Sequence, residues 1–562
     1  MAYIDGLSRN QTFMFPECLE DYIDAENLVR IFDAFVNSLN MKECGFARHV
    51  PATEGRPGYD PRDMAKLYVY GYFHKVRSSR SLEKETKRNV EVMWLINKLC
   101  PDFRTISDFR KDNHKALKKM FKEFNKLCVH LDLFSHEYDS VDGSKFRAVN
   151  TKDRNFTMNK LDERLERLEK RIAEFMQVLE QTDQTESDTR SFTKTEIEEK
   201  INALKERKTL YSGYREQMEK TKSSQLSLTD PEARLMKTHE GYKVCYNVQT
   251  AVDAKHHLIA GFEATNQCTD QGLLETVTRE VKEDFGLETI EAVADKGYRD
   301  NDDLLNCFFN GTIPNVPPSE GATGIELETT YVETIITESQ KASTKSADLQ
   351  ACLQSGVIPD IYTQVITSTT VEEKVYYDSP DAATEETSPV MTEQEMLSKA
   401  KEGCFVRDIE KNKVYCPQGK VLRQASTRKN GSIRYSNKSA CADCPSKCTK
   451  AKVKEVDFSP GKIVHQSQGS KQGENAVKKS KGVKKTKRVV KITFVPDRKK
   501  LDMRKCLSEH PFGTIKRALG ASYLLLKGKE KANGELALFC LVYNLKRALN
   551  ILGTRKIMDA LA

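Results

Sequence analysis

Two aspartates and one glutamate stand where carboxylates can do metal chemistry. Asp142 follows the partly apolar run 138–141 and precedes Gly143, so its carboxylate is expected at a strand edge with accessible backbone. Asp295 ends the apolar run 290–294, and in alternating α/β sheets catalytic groups collect at the carboxyl ends of strands. Carboxylates on neighbouring strand ends suit Mg²⁺, a hard cation that prefers oxygen ligands. Taken singly, each is an ordinary turn residue. Glu509 lies in SEHPFGTIKRALG, where Ser508 reads as a helix cap, Glu509 as a first-turn carboxylate at the positive helix end, and Pro511 as tolerable before the hydrogen-bond ladder begins. Lys516 comes seven residues later. At roughly 100° per residue this brings the two within about 20° of one helix face. On spacing alone, an ordinary surface helix with scattered charges fits equally.

A second group is Cys416 with Cys441-x2-Cys444-x3-Cys448, flanked by Pro417 and Pro445. Four thiolates in one polar segment suffice for a tetrahedral structural Zn²⁺, although the first is solitary and Cys404 competes for its place. Free cysteines are the alternative. The remaining members of the 15 are scattered, as small buried hydrophobes usually are.

The elements that must hold these groups can be read from periodicity. Leu28, Ile31, Phe32, Phe35 and Leu39 form a helical stripe, Pro61 opens a further helix through Val76, and Thr105 with Asp108 resembles a cap for a helix running past Phe121. Residues 1–130 thus read as a helical domain. Its Arg77, Arg80, Lys84, Lys87 and Arg88 suit either DNA phosphates or a solvated face. Residues 137–149 read as a strand broken by Gly143, and 243–252 and 257–264 as two more strands. Between them, about 153–222, Leu161, Leu165, Leu168, Ile172, Phe175 and Leu179 alternate spacings of four and three, and Ile197, Ile201, Leu204 and Tyr211 continue after a polar break. This predicts an antiparallel helical hairpin, either packed on itself or serving as a dimerising or DNA-clamping arm. A helix over 270–285, a strand over 290–294, a helix from Asp300 and a strand over 312–316 complete an α/β alternation. The acidic, Ser- and Thr-rich stretch 316–400 is expected to be irregular apart from VEEKVYY, and KKSKGVKKTK at 478–487 is low complexity. Order returns with VVKITFVPD, the Glu509 helix and a closing apolar helix over 534–552. The resulting domains are 1–130, 131–316 with the hairpin inserted, an insertion at 317–488, and 489–562.

At 562 residues the chain exceeds what one core usually organises, and its formal charge of +8 fits a polyanionic partner without requiring one. No run approaches the roughly 20 apolar residues of a membrane helix, and the first residues lack the basic-then-apolar order of a signal peptide, so a cytoplasmic location is expected.

Four blocks in order, VDGSKFRAVN, LTDPEARLM with GYKVCYNVQTAVD, ADKGYRD and EHPFGTIKRALG, resemble the signature blocks of DDE transposases of bacterial insertion sequences. GLSRNQTFMFP, GRPGYDPRDMAKLYVYGYF, RSSRSLEKETKRN and PDFRTISDFRKDN resemble the helical domain that precedes catalysis in one branch of that family. The resemblance implies an RNase H-like catalytic core with Asp142, Asp295 and Glu509 as catalytic carboxylates. They would hold Mg²⁺ or Mn²⁺, as two ions, for cutting double-stranded DNA at element ends and joining it to target DNA. It also implies a homo-oligomer on DNA, because two ends must be paired. Many relatives carry Tyr-x2-Arg-x3-Glu-x6-Lys as the third motif; here Glu509 and Lys516 keep the last spacing, but Asp502 and Lys505 occupy the Tyr and Arg positions, with Arg504 one residue away. Lys516, Arg504 or Lys505, Tyr298 and Arg299 are the expected DNA-positioning residues. A nuclease without strand transfer and a non-catalytic DNA-binding descendant are the competing readings.

Overall fold

The computed structural model describes residues 18–51, 54, 57–184, 194–221, 224–377, 393–408, 411–427, 433–442, 444, 448, 453–458, 465–467 and 484–562. Most of the lysine tract 478–487 lies outside these. The chain forms two bodies, one reaching Glu372 and resuming at Arg488–Ala562, the other Glu373–Lys487.

The first body opens with helices whose starts are set by side-chain caps. Asn27 caps α1 (Leu28–Ser38), accepting from the Val29 N–H, and Asp60 caps α2 (Pro61–Phe73), which has proline in its first turn. After α3 (Ser79–Arg88), Asp102 caps α4 (Phe103–Asp112) by accepting from the Arg104 and Thr105 N–H groups. The expected Thr105–Asp108 cap is therefore not used; Thr105 instead donates its hydroxyl to Asp102. The chain breaks at Asn113 and begins α5 (His114–His130).

The central sheet follows. β1 (Asp139–Arg147) runs unbroken through Gly143, paired antiparallel along its whole length with a later strand from Asp139↔Asp253 to Arg147↔Cys245. A hairpin arm of two long helices, α6 (Met158–Gln184) and α7 (Lys194–Lys220), is inserted next, its base tied by antiparallel strands Asn155–Thr157 and Gln225–Ser227. Phe156, Leu161 and Met218 form the arm's own small core. The sheet resumes with β2 (Arg234–Thr238), β3 (Gly241–Asp253), β4 (Ile259–Thr265), α8 (Leu274–Phe285), β5 (Ile290–Val293), α9 (Asn301–Phe309) and β6 (Thr312–Asn315). Its order is β4-β3-β1-β5-β6, with β2 pairing the start of β3. The β1–β3 and β3–β4 pairs are antiparallel, the β1–β5 and β5–β6 pairs parallel. Helix α9 is the crossover that the parallel neighbours β5 and β6 require.

Residues 316–377, expected to be irregular, are built in. β7 (Ile325–Thr330), the helix Ser346–Gln354 and β8 (Ile366–Tyr377) bury Ile325, Leu327, Leu349, Leu353 and Ile366. Together with β9 (Lys484–Phe494) the strands form a second sheet, order β8-β9-β7. VEEKVYY lies within β8. The chain ends with α10 (Arg498–Gly513), a π-helical turn at Thr514–Ala518, and α11 (Lys529–Leu561).

Helix α11 is long and apolar enough to cross a membrane, contrary to the reading of the sequence. It is the core helix of this body: Tyr72 meets Phe539 edge-on at 4.7 Å, and Asn544 accepts from the Ile259 N–H and donates to Asn125. One continuous hydrophobic cluster joins the N-terminal helices, the sheet and α11.

The second body is a six-stranded antiparallel sheet, ordered Val456–Phe458, Ile433–Ser436, Val421–Thr427, Lys413–Tyr415, Cys404–Asp408 and His465–Ser467. Phe405, Val414, Leu422, Tyr435, Val456 and Phe458 form its main core. It begins at Glu373, well after the expected start of the insertion at 317.

Candidate functional site

The site lies where β5 ends beside β1. The parallel register pairs Ser140 with Val293, and two residues further along each chain come Asp142 and Asp295. Side chains alternate along a strand, so a step of two returns each carboxylate to the same face, on neighbours about 5 Å apart. Asp142 therefore occupies the middle of a central strand, where β5 has stopped covering its flank, and not a strand edge created by Gly143. Gly143 has a different role. A Cβ there would meet Gln249 Nε2 at 2.5 Å and Asp270 Oδ1 at 2.6 Å, so glycine admits a polar cluster beneath the carboxylates.

Burial pushes the Asp142 carboxyl above its ordinary range, and the Asp295 charge adds to this; the Gly143 N–H, Arg504 and the Ser508 hydroxyl oppose it. Asp142 Oδ1 accepts from Gly143 N at 2.8 Å, and Arg504 Nη1 stands 3.9 Å from its Oδ2. Asp295 Oδ1 accepts from Gly297 N at 2.8 Å. The pair is thus a half-buried concentration of negative charge with one nearby guanidinium.

Helix α10 crosses this face. Asp497 caps it, accepting from the Lys499 and Lys500 N–H groups, and Asn315 at the end of β6 accepts from the Asp497 N–H at 2.8 Å. Ser508 is therefore in the body of the helix and not its cap, and Pro511 sits inside the helix. Leu507, Ser508, Pro511 and Phe512 are buried against the sheet, and this packing overrides the local signal for a helix start. Arg504 and Ser508, one turn apart, both face Asp142. Glu509 is the next residue round the helix, exposed and without a hydrogen bond or ion pair among the described residues. Lys505 is exposed too. The π-helical turn changes the register beyond Gly513, so the simple 20° relation between Glu509 and Lys516 does not hold. Lys516 reaches β1 directly, donating to Ser144 Oγ at 2.6 Å and the Lys145 carbonyl at 2.9 Å, over the Phe146 ring. Burial lowers its ammonium pKa, with Asp142 among the groups opposing this.

Tyr298 is wholly buried and donates to Gln249, which removes it from the DNA-facing set. Burial raises its phenol well above the ordinary value, with Asp270, Asp142 and Asp295 adding to the effect. Gln249 Nε2 and Asn247 Nδ2 donate to Asp270 Oδ1 at 2.9 and 2.7 Å, and Lys145 Nζ lies 3.4 Å from the same oxygen. This supporting cluster was not anticipated. Its signal was Asn247 and Gln249, two apart on one face of an otherwise apolar strand. Arg299 is tied to Ser319. Among the N-terminal basic residues, Arg77 is buried and donates to the carbonyls of Gly520 and Tyr523 and to Glu535, so it is not available to phosphate. Arg80 lies over the Phe103 ring, Lys87 pairs with Glu83 and Arg88 with Glu85; Lys84 is exposed.

On the second body, Cys416, Cys441, Cys444 and Cys448 line one small cavity, whereas Cys404 packs with Met396, Leu397 and Val421 against another cluster. Among the described residues no three His, Cys, Asp or Glu side chains already stand at metal-ligating spacing.

The first body is thus a mixed α/β protein with paired acidic residues between a parallel strand pair and a cationic helix. A family model for a transposase domain (DUF772) matches residues 17–112, and one for a transposase DDE domain matches residues 415–549. A transposase domain near one end and a DDE domain near the other are what a DDE transposase of insertion sequences carries. The second match takes in Glu509, Lys516 and the four cysteines, while Asp142 and Asp295 lie outside both. No curated protein and no solved structure matches the chain.

Proposed function

We propose that this chain is a metal-dependent transposase that cleaves double-stranded DNA at the ends of a mobile element and joins the freed ends to target DNA. The observation that carries the reading is the parallel register Ser140↔Val293, which brings Asp142 and Asp295, each two residues further on, to the end of adjacent strands beside the helix that bears Glu509. The sheet supports an RNase H-like core: leaving aside the short β2, the antiparallel strands β1, β3 and β4 are followed by β5 and β6, parallel to β1, with Asp142 on β1, Asp295 just past the end of β5 and the α10 helix last. The part of the chain between β6 and α10 is then an insertion before the last catalytic helix.

The residues fit a hard divalent cation. Asp142 is desolvated and its ionised form is further disfavoured by the neighbouring Asp295, with the Arg504 guanidinium 3.9 Å away opposing this. Asp142 and Asp295 would hold the ion, and the free Glu509 carboxylate would join them. When bound, Mg²⁺ or Mn²⁺, as two ions, activates the attacking oxygen and stabilises the departing 3′ oxygen of a phosphodiester. The chain's own groups do the rest. Ser508 and the Gly143 N–H hold the Asp142 carboxylate in orientation, and Gln249 with Tyr298 supports the pair from below. Arg504 and Lys516 neutralise phosphate charge at the cut, and exposed Lys505 and half-buried Arg299 contact the backbone alongside. The arm adds a groove lined by Arg164, Arg167, Lys170, Arg171 and Arg207 with Glu174 as its one acid, a surface suited to a polyanion. Pairing two element ends calls for a homo-oligomer on DNA.

The test is Mg²⁺-dependent cleavage and strand transfer on DNA carrying the sequence that flanks the coding region, comparing wild type with Asp142→Ala, Asp295→Ala and Glu509→Ala. Activity lost in all three while DNA binding persists is the expected result. Cleavage without joining would leave a nuclease, and binding without cleavage a non-catalytic DNA-binding protein. Cleavage that survives loss of Glu509 would refute the third carboxylate.

A further inference from the structure

The second body contains a group of side chains that strand cleavage does not use. Cys416 lies at the tip of the hairpin joining strands Lys413–Tyr415 and Val421–Thr427. The turn is closed by Gly419 N to Cys416 O at 2.7 Å and Cys416 N to Lys420 O at 2.9 Å, with Gly419 at a φ of 69° that favours glycine. Cys441 lies in the short helix Lys438–Ala442, whose start Asn437 holds by accepting from the Ala440 N–H at 3.1 Å. Cys444 and Cys448 follow. Cys416 and the 441–448 stretch are separate segments, yet all four thiols border one cavity of about 20 Å³, lined also by Phe405, Leu422 and Lys454. Such a volume holds one water-sized sphere.

The choice of ligands that spacing left open is settled by the strand. Phe405 faces the cavity, so Cys404, its neighbour, points to the other side of the sheet, where it packs with Met396 and Leu397. Four sulfurs round a tetrahedral ion at about 2.3 Å would lie roughly 3.8 Å from one another, which is contact distance. Neutral thiols gain little by closing that far, so a shared cavity short of ligating spacing is what metal-free side chains should show.

We propose that Cys416, Cys441, Cys444 and Cys448 bind one structural Zn²⁺, which staples the 416–420 turn to the segment after helix Lys438–Ala442. Four soft sulfur ligands favour zinc over the hard cations suited to the carboxylate pair, and a complete ligand set leaves no open position for catalysis. The need follows from the core. Among the described residues of this body, six buried apolar side chains form one cluster and three another, a modest core, and small cores commonly rely on a metal or disulfides. Each thiol that ligates loses its proton, so affinity rises with pH. The proposal does not depend on the transposase reading.

The test uses the full chain, reduced and anaerobic. Zinc per chain is measured by mass spectrometry of the metal, and Co²⁺ is added to chelator-treated protein carrying Asp142→Ala, which removes the carboxylate site as a background. The expected results are about one zinc per chain and a sulfur-to-cobalt charge-transfer band with the intense visible bands of a tetrahedral thiolate centre. Cys444→Ser should lower zinc affinity by at least tenfold, whereas Cys404→Ser should leave it unchanged. Absence of the cobalt–thiolate bands from the unmutated thiol set would overturn the site, even if Cys444→Ser fails to fold. Equal loss in Cys404→Ser would overturn the ligand assignment. Neither outcome bears on DNA cleavage, which is assayed separately.

Discussion

Replacing Arg77 by Met tests whether the N-terminal helices are part of the catalytic body or a DNA-binding appendage. The guanidinium is 9% exposed and donates to the Gly520 and Tyr523 carbonyls, with Nη2 3.3 Å from Glu535 Oε1. Its plane lies over the Tyr523 and Phe539 rings at 5.0 and 5.1 Å. Glu535 is fully buried and keeps only the Leu525 and Leu526 N–H groups once the arginine is gone. Breaking a buried ion pair from one side costs about 3–5 kcal/mol, because the remaining charge is left uncompensated. The two orphaned carbonyls add to this and methionine's contact with the rings offsets part of it, so about 3–5 kcal/mol is the expected net loss, a large share of a typical domain's stability. Trp94, the chain's single tryptophan, donates to Glu20 at 2.7 Å beneath Arg30, so its fluorescence in a urea titration reports unfolding of these helices. In a cycle with Glu535→Gln the double variant should lose less than the sum of the singles, by about 1–3 kcal/mol. The reasoning fails if Arg77→Met changes stability by less than about 0.5 kcal/mol while the salt dependence of DNA binding falls by about one unit, the signature of a lost phosphate contact.

Three further outcomes are expected. Gly143→Ala should cost about 1–3 kcal/mol, since its methyl displaces Gln249 and Asp270, and should remove DNA cleavage at temperatures where urea titration shows the protein still folded. Asp303 accepts from the Leu274 and Glu275 N–H groups at the start of α8, and burial pushes its carboxyl up to about 6. Because the folded value lies above the unfolded one, its stabilising contribution is complete below about pH 4 and is lost as pH rises through 6. Wild type should therefore lose up to about 3 kcal/mol relative to Asp303→Asn between about pH 4 and pH 7, read from paired urea titrations; parallel curves would contradict the raised value. Replacing Arg164, Arg171 and Arg207 in the arm by Ala should reduce the salt slope of DNA binding by about 2–3, and an unchanged slope would remove the arm from the DNA surface.

Much of the fold was legible because its elements are locally self-consistent. The apolar run at β5 and the alternating four and three spacings of the arm each bury a face that periodicity reveals. The stretch 316–377 was not, because its Ile325, Leu327 and Leu353 are spread thinly among acids and hydroxyls. Their burial depends on Phe308 and Phe494 arriving from elsewhere, with Tyr362 of the same stretch and Phe494 both packed on Phe308. Arg77 reads as a surface cation because nothing near it in the chain announces Glu535; the partner is supplied only by tertiary packing. Tyr298 was misjudged for the same reason, its acceptor Gln249 lying on another strand.

The candidate site divides along the same line. Asp142 and Asp295 could be nominated singly, each by its place after an apolar run, but what joins them is the Ser140↔Val293 register, a property of two strands that no single segment contains. Glu509 shows the converse. Ser508 and Pro511 imitate a helix start, yet Asp497 is the cap, and the buried row of Leu507, Ser508, Pro511 and Phe512 sets which side of α10 meets the sheet. That row turns Arg504 and Ser508 toward Asp142 and fixes the arginine one residue from its place in the related motif. Had Lys505 been the inward residue, Glu509, four positions on, would share its face, and Ser508 would turn away from Asp142. The displaced arginine is thus a consequence of which face of α10 is apolar, and the same face leaves Glu509, one residue past Ser508, exposed.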